Sequence, residues 1–222
     1  IAYNNIESFL EHYVVLYGIE DSTFMNITYV DQFGGYVADF GTYMESYSLR
    51  EEADVVDIIN YIKSTKEAFP SYLTYVSEKT EKGYALSDTT IKAMRNYLAE
   101  ILGLVDSDGE PIPEGTEKEP YYLIDIINAR IDAVEFLSAD LKAEYKAQVA
   151  TQIEESFMVG VETLYEGLEE YLGKLSKSNE GYLTVYENGK EYYQLQLEGL
   201  FGLENFDVDA YIKEVDAYFA NH

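Results

Sequence analysis

Apolar residues recur along this chain at steps of three and four, the spacing of one helix face. Tyr3, Ile6, Phe9, Leu10, Tyr13, Val14 and Tyr17 form a first run, and Gly18 ends it. Ser48-Leu49-Arg50-Glu51 reads as a capping box for a second helix, whose inner face is Val55, Ile58, Ile59 and Ile62. Pro70 cannot donate a backbone hydrogen bond, so it is expected in the first turn of a third helix, which buries Tyr72, Leu73 and Val76 and stops at Gly83. Ser87 caps a fourth, with Ile91, Met94, Leu98, Ile101 and Leu102 inward and Gly103 as its stop. A fifth follows Pro120, with Ile124, Ile127, Ile131 and Val134 on one side. Ser138 caps the longest helix, about 139–175, along which Leu141, Tyr145, Val149, Ile153, Phe157, Val161, Leu164, Leu168, Leu172 and Leu175 keep helical spacing. A last helix from about Asp207 turns Val208, Tyr211, Ile212, Val215 and Phe219 inward.

Two stretches break this pattern. Residues 24–40, with strand-like Asn26-Ile27-Thr28-Tyr29-Val30 and then Gly34-Gly35, read as an irregular connector with one short strand at most. Residues 182–187 read as a short strand, followed by a turn at Asn188-Gly189 and a helix carrying Tyr193, Leu197, Leu200 and Phe201. The expected fold is therefore an all-α multi-helix bundle, with at most a short strand or hairpin near 182–187. It forms a single helical domain over 1–222. An acidic loop at 104–120, with three of the four prolines, two glycines and six acids, separates its two helical blocks.

Composition narrows the possible functions. The 222 residues include 42 acids and 15 bases, a net charge of −27. That charge repels duplex phosphates and anionic leaflets, so nucleic acid is not an expected partner. The 47% hydrophobic fraction is enough for a packed core despite the charge. No apolar run of about 18 residues is present, so no transmembrane segment is expected. The chain opens on Ile1 without a basic and apolar leader, and it reads as beginning partway through a longer protein.

Candidate chemistry is sparse. There is no cysteine, and the only histidines are His12 and His222, so neither a two-histidine zinc helix nor the usual nucleophile–base pairs can form. No catalytic residue or metal ligand is assigned. Asp106, Asp108, Glu110 and Glu117 match calcium-loop positions one, three, five and twelve, but Pro111 stands where the loop must turn on glycine. Glu162, Glu166 and Glu170 line up at four-residue steps and read as a solvated face, with cation binding the alternative. Asn26-Ile27-Thr28 has the form of a glycosylation sequon. The 23 tyrosines suit helix boundaries, where the ring packs and the hydroxyl stays wet. Their functional alternative is a groove for a peptide or sugar, with Tyr192-Tyr193 after the Asn188-Gly189 turn as the local candidate.

The segment from Gly181-Tyr182-Leu183 through Asn188-Gly189 to Tyr192-Tyr193 resembles the Gly-x-aromatic…Asp/Asn-Gly-x-x-x-Tyr segment of a bacterial family catalogued as domain of unknown function 885. Glu45 to Ile62, the Pro70-Ser71-Tyr72-Leu73 helix and the long helix from Ser138 follow that family's order. Leu183 stands where an aromatic residue is common, and Glu187 where proline is usual. The resemblance implies a longer, exported or lipid-anchored protein of zinc-metallopeptidase type. In it this chain would be the N-terminal wall of a substrate cleft, partnered by a C-terminal catalytic half. Zinc and its H-E-x-x-H helix would lie beyond His222, and Gln32, Gly189, Tyr192 and Tyr193 would face a peptide substrate. The alternative is a stand-alone acidic binding or scaffold domain for a peptide, cation or protein partner. A third reading, a hydrolase built on carboxylates alone, needs two facing acids that the sequence does not single out.

Overall fold

A computed structural model describes residues 14–19, 35–113, 115–116, 121–174, 187–201 and 207–221. The described residues are helical and carry no sheet, so the fold is an all-α multi-helix bundle. The chain divides into two compact units, 27–176 and 1–26 with 177–222.

In the first unit α1 is Gly35–Ser46, α2 Glu52–Glu81, α3 Asp88–Ile101 and α4 Leu123–Ala133. A long helical rod follows. It comprises α5 (Ala139–Gln152), a π-helical segment (Ile153–Met158), α6 (Val159–Leu168) and a closing 3₁₀ turn (Glu169–Tyr171). The rod and α2 run side by side in the same direction: Tyr145 meets Glu52 near both starts, Gly160 meets Thr65, and Tyr171 meets Leu73. Helix α3 returns antiparallel to the rod, since Asp88 accepts from the Gly173 N–H and Arg95 pairs with Glu169. The core between them includes Val55, Ile62, Phe69, Val76, Ile91, Leu98, Ile127, Ile131, Val149, Phe157, Val161 and Leu168.

Several local signals act as expected. The Thr90 N–H donates to the Ser87 hydroxyl at 3.1 Å, and the Leu141 N–H to the Ser138 hydroxyl at 3.2 Å. Gly83 and Gly103, just past α2 and α3, take positive φ, which lets the chain turn away from each helix end.

Four expectations are corrected. The helices on either side of Pro70 are one continuous helix of 30 residues. An interior proline costs about 3 kcal/mol, but Phe69, Tyr72 and Val76 are buried around it. Each such side chain contributes roughly 1.5–3 kcal/mol on burial, which outweighs the lost hydrogen bond. Second, α2 starts not at a Ser48–Glu51 box but three residues later, with Glu51 as N-cap and Asp54 at the third helical position. Third, residues 35–40, expected in an irregular connector, open α1, because Val37, Phe40 and Met44 share one buried face. Fourth, the long helix ends at Tyr171 rather than near 175: Leu172 is extended and Gly173 has φ +73°. Residues 20–34 and 175–186, which hold the expected strand at 26–30 and all but the last residue of the one at 182–187, lie outside the described residues.

The π segment has a readable cause. Leu141, Tyr145, Val149, Ile153, Phe157 and Val161 are spaced by four throughout. Each four-residue step overshoots an α-helical turn by about 40°. A run of five such steps would wind off the α2-facing side. The wider i→i+5 turns at Ile153–Met158 absorb the excess and keep Ile153 and Phe157 buried.

Asp54 gives the fold an acid sensitivity. Its Oδ2 accepts the Arg50 N–H at 2.7 Å and the Glu51 N–H at 3.0 Å. Chiefly the Arg50 N–H bond, then that of Glu51 and the Arg50 charge, hold the carboxyl below the usual aspartate value against the opposing effect of burial. A depressed folded-state pKa means that this contribution is fully present above the unfolded value, near pH 4, and is lost as pH falls through the folded one. Asp54→Asn should therefore lower stability at pH 7 and match the wild type more closely at pH 2–3. Urea unfolding at both pH values measures this, and an equal deficit at both would contradict it.

In the second unit the helices are α7 (Gly189–Phe201) and α8 (Val208–Asn221), together with the short helical piece 14–18. The Ala210 N–H donates to Asp207, which confirms the start of α8. The expected inward faces are corrected here. Tyr211, Ile212 and Phe219 on α8 are 43%, 51% and 73% exposed. In the first predicted helix Val14 and Tyr17 are exposed, and Leu16 is buried instead. Helical spacing shows that a face exists, but burial needs a second surface to meet it.

Candidate functional site

Among the described residues, a candidate is a cleft of about 410 Å³ between the C-terminal half of α1 and the N-terminal half of α2. Tyr43, Tyr47, Asp57, Ile58, Asn60, Tyr61 and Ser64 line it. Its volume is in the range of small-molecule sites.

Helical spacing builds both walls. Tyr43 and Tyr47 are four residues apart, and the Tyr47 N–H still donates to the Tyr43 carbonyl, which keeps the two rings on one side of the helix end. Asp57, Tyr61 and Ser64 lie on consecutive turns of α2. Beneath them Ile58 belongs to the core, and Tyr61 stacks on buried Phe40 with ring centroids 5.3 Å apart. The Ser64 hydroxyl is engaged, donating to the Tyr61 carbonyl at 2.7 Å. The three rings meet at angles. Tyr43 and Tyr61 are 5.0 Å apart at 62°, and Tyr43 and Tyr47 are 5.4 Å apart at 52°. Tyr43 is 45% exposed, so its ring is open to a ligand.

The cleft sits in a negative field. Partial desolvation first, then the carboxylates of Asp57 and Asp54, push the Tyr47 hydroxyl above the ordinary tyrosine value, and Arg50 only partly offsets them. That guanidinium is exposed and stands 3.8 Å from Asp54. The Tyr47 phenol is therefore neutral throughout the physiological range, and the nearest charge lining the cleft is Asp57.

No family model, curated protein or solved structure matches this chain. The site therefore has to be read from its own chemistry.

The residues singled out from sequence lie elsewhere. Gly189 opens α7 and is buried. Tyr192 is buried, with its hydroxyl accepting from the Gln196 side chain at 3.1 Å, and Tyr193 is exposed. Successive helical residues point about 100° apart, which separates this pair. Gln32, His12, His222 and the Asn26 sequon lie outside the described residues. Glu162, Glu166 and Glu170 are all exposed. The Asp106 carboxylate closes its own turn, accepting the Asp108 and Glu110 N–H groups at 2.9 Å each beside the Val105–Pro111 bridge. Glu117 of the calcium pattern is outside the described residues.

The described residues contain neither histidine nor cysteine, and no three of their carboxylates are grouped to hold a metal ion. They do not supply a donor set for zinc. Among them, too, no helix is long and apolar enough to cross a membrane.

The sequence reading passed over Tyr43, Tyr47 and Tyr61. The available signal was Tyr-x-x-x-Tyr at 43/47 and Asp-x-x-x-Tyr-x-x-Ser at 57/61/64, each a polar-aromatic stripe flanking a core face.

Proposed function

We propose that this chain is an acidic helical binding domain for a basic peptide, and that the cleft between α1 and α2 receives one of the peptide's cationic side chains. The observation that carries this reading is the convergence of three tyrosine rings and the Asp57 carboxylate on one open cleft. Ring faces attract cations, and a nearby carboxylate adds to that attraction. The net charge of −27 favours the same partner, because it draws a basic chain toward the surface and repels acidic ones.

Calorimetry of the 222-residue chain with a short lysine-rich peptide tests it. Saturable heat is expected, weakening as salt is raised. Asp57→Asn should weaken binding by roughly 2- to 5-fold, the scale of one exposed charge pair. No heat with the peptide, or saturable heat with a neutral oligosaccharide instead, would reject the reading.

The metallopeptidase reading has the segment order alone behind it. It requires an H-E-x-x-H motif in frame downstream of the His222 codon. A stop codon there, with no such motif, removes it.

A further inference from the structure

We infer that the cleft prefers an arginine side chain to a lysine, with the guanidinium lying on the outer face of the Tyr43 ring and pairing with the Asp57 carboxylate. This inference rests on the peptide-binding reading and names the side chain that is bound.

Two acceptors in the cleft are uncommitted. Among the described residues, neither the Asp57 carboxylate nor the Asn60 side-chain amide takes part in a hydrogen bond or an ion pair. Both residues are exposed and line the cleft. Asp54, one turn earlier, is spent on the Arg50 and Glu51 N–H groups. One ring face is open as well. The two ring contacts of Tyr43, to Tyr47 at 52° and to Tyr61 at 62°, are both angled, and the ring stays 45% exposed. Tyr61, by contrast, is stacked on Phe40. The cation is therefore placed on the solvent side of Tyr43, not between rings. A guanidinium suits that place. It is planar and can lie flat on a single ring, while its fork of donors reaches a carboxylate and an amide oxygen in its own plane.

The same fold already holds an arginine this way. The Arg95 guanidinium lies 4.5 Å from the centroid of the Tyr165 ring and 3.1 Å from the Glu169 carboxylate. Ring and carboxylate stand four residues apart on the rod, and the arginine comes from another helix, α3. The Arg95 side chain is 15% exposed and that of Glu169 69%, so the pairing forms at the protein's edge. The ammonium–ring contact is of another kind: Lys79, 5.5 Å from the Tyr75 centroid, is fully buried. At an open site water competes for a strongly hydrated ammonium, whereas a weakly hydrated guanidinium keeps its ring contact. The cleft is open, like the setting of Arg95 and unlike that of Lys79, and so it favours arginine.

The test is a titration of the full chain, by calorimetry or tyrosine-ring NMR, with three peptides that differ at one residue. That residue is arginine, lysine or citrulline, the neutral planar isostere of arginine. Arginine should bind roughly 3- to 10-fold tighter than lysine, the scale of one exposed ring contact together with a second charge-assisted hydrogen bond. Citrulline should bind more weakly than either. Tyr43→Phe should keep the preference and Tyr43→Leu should erase it, with circular-dichroism melting to confirm that both remain folded. Asp57→Asn should weaken arginine more than lysine, and Glu166→Gln, on the exposed acidic face of the rod, should change neither. Equal binding of arginine and lysine, tighter lysine, or a preference that survives Tyr43→Leu overturns the inference and leaves peptide binding standing. Citrulline binding as tightly as arginine, or no binding by any of the three, removes both. Free arginine serves as a further arm: binding as tight as that of the peptide would keep guanidinium recognition and reject the peptide as its source.

Discussion

Phe157→Ala should lower the unfolding free energy by roughly 3–5 kcal/mol, the cost of deleting a buried aromatic ring and leaving its cavity. Phe157 is fully buried on the π segment, where three helices and a loop meet. Its ring lies 5.0 Å from Phe40 of α1, 5.5 Å from Phe69 of α2 and 5.0 Å from Tyr121 just before α4. Such ring pairs add to the area they bury, and no single neighbour can move in to fill the space without leaving another. Against a typical total of 5–15 kcal/mol, the loss is a large fraction of the stability. Urea unfolding followed by tyrosine fluorescence measures it. A loss below about 1 kcal/mol would mean that the cluster is not packed as described. The variant also bears on the cleft, because Phe40 lies under Tyr61 as well as against Phe157. Loosening the cluster should weaken peptide binding even though Phe157 does not line the cleft.

Gly160→Val is expected to be comparably severe, and Gly160→Ala milder but still unfavourable. A Cβ on Gly160 would sit 2.5 Å from the Thr65 carbonyl oxygen and 3.2 Å from its carbon, both backbone atoms of α2. Relief requires the rod and α2 to move apart along their contact, and overpacking of this kind typically costs 1–3 kcal/mol. Alanine recovers about 1 kcal/mol of helix propensity, so its net loss is smaller. Gly167 makes the contrast. A Cβ there meets first the methyls and Cγ of the Leu73 side chain, which can shift more readily than a backbone carbonyl. Gly167→Ala should therefore be close to neutral by the same unfolding measurement. If Gly160→Ala proved as stable as the wild type, the close parallel approach of α2 and the rod would be wrong.

These variants also mark how far the sequence could be read. Ser87, Ser138 and Asp207 were legible as helix starts, and Gly83 and Gly103 as stops, because each acts on backbone groups within a few residues. Pro70 misled because its cost is local and visible, whereas the burial of Phe69, Tyr72 and Val76 that offsets it comes from other helices. The four-residue steps around Ile153 held the evidence for the π turn, but only the packing of that segment against α2 made the drift matter. The cleft was not legible. Tyr43 and Tyr47 look like ordinary boundary tyrosines until α1 sets them against Asp57 and Tyr61 of α2. Tyr192 and Tyr193 illustrate the converse, since adjacency in sequence suggested a shared surface that helical geometry denies them.

By itself, the sequence determined an all-helical chain with many of its boundaries, a core of aliphatic and aromatic faces, and a strongly negative charge. Those properties come from backbone hydrogen bonding over short spans and from side-chain composition. The tertiary structure alone decided that α2 runs unbroken, that Tyr211, Ile212 and Phe219 of α8 and Val14 and Tyr17 are exposed while Leu16 is buried, and that three tyrosines and an aspartate share a cleft. The physical reason is that an apolar stripe states a need for burial without naming its partner. Which faces meet is settled by shape, as at Gly160 against Thr65, and shape is a property of two helices at once.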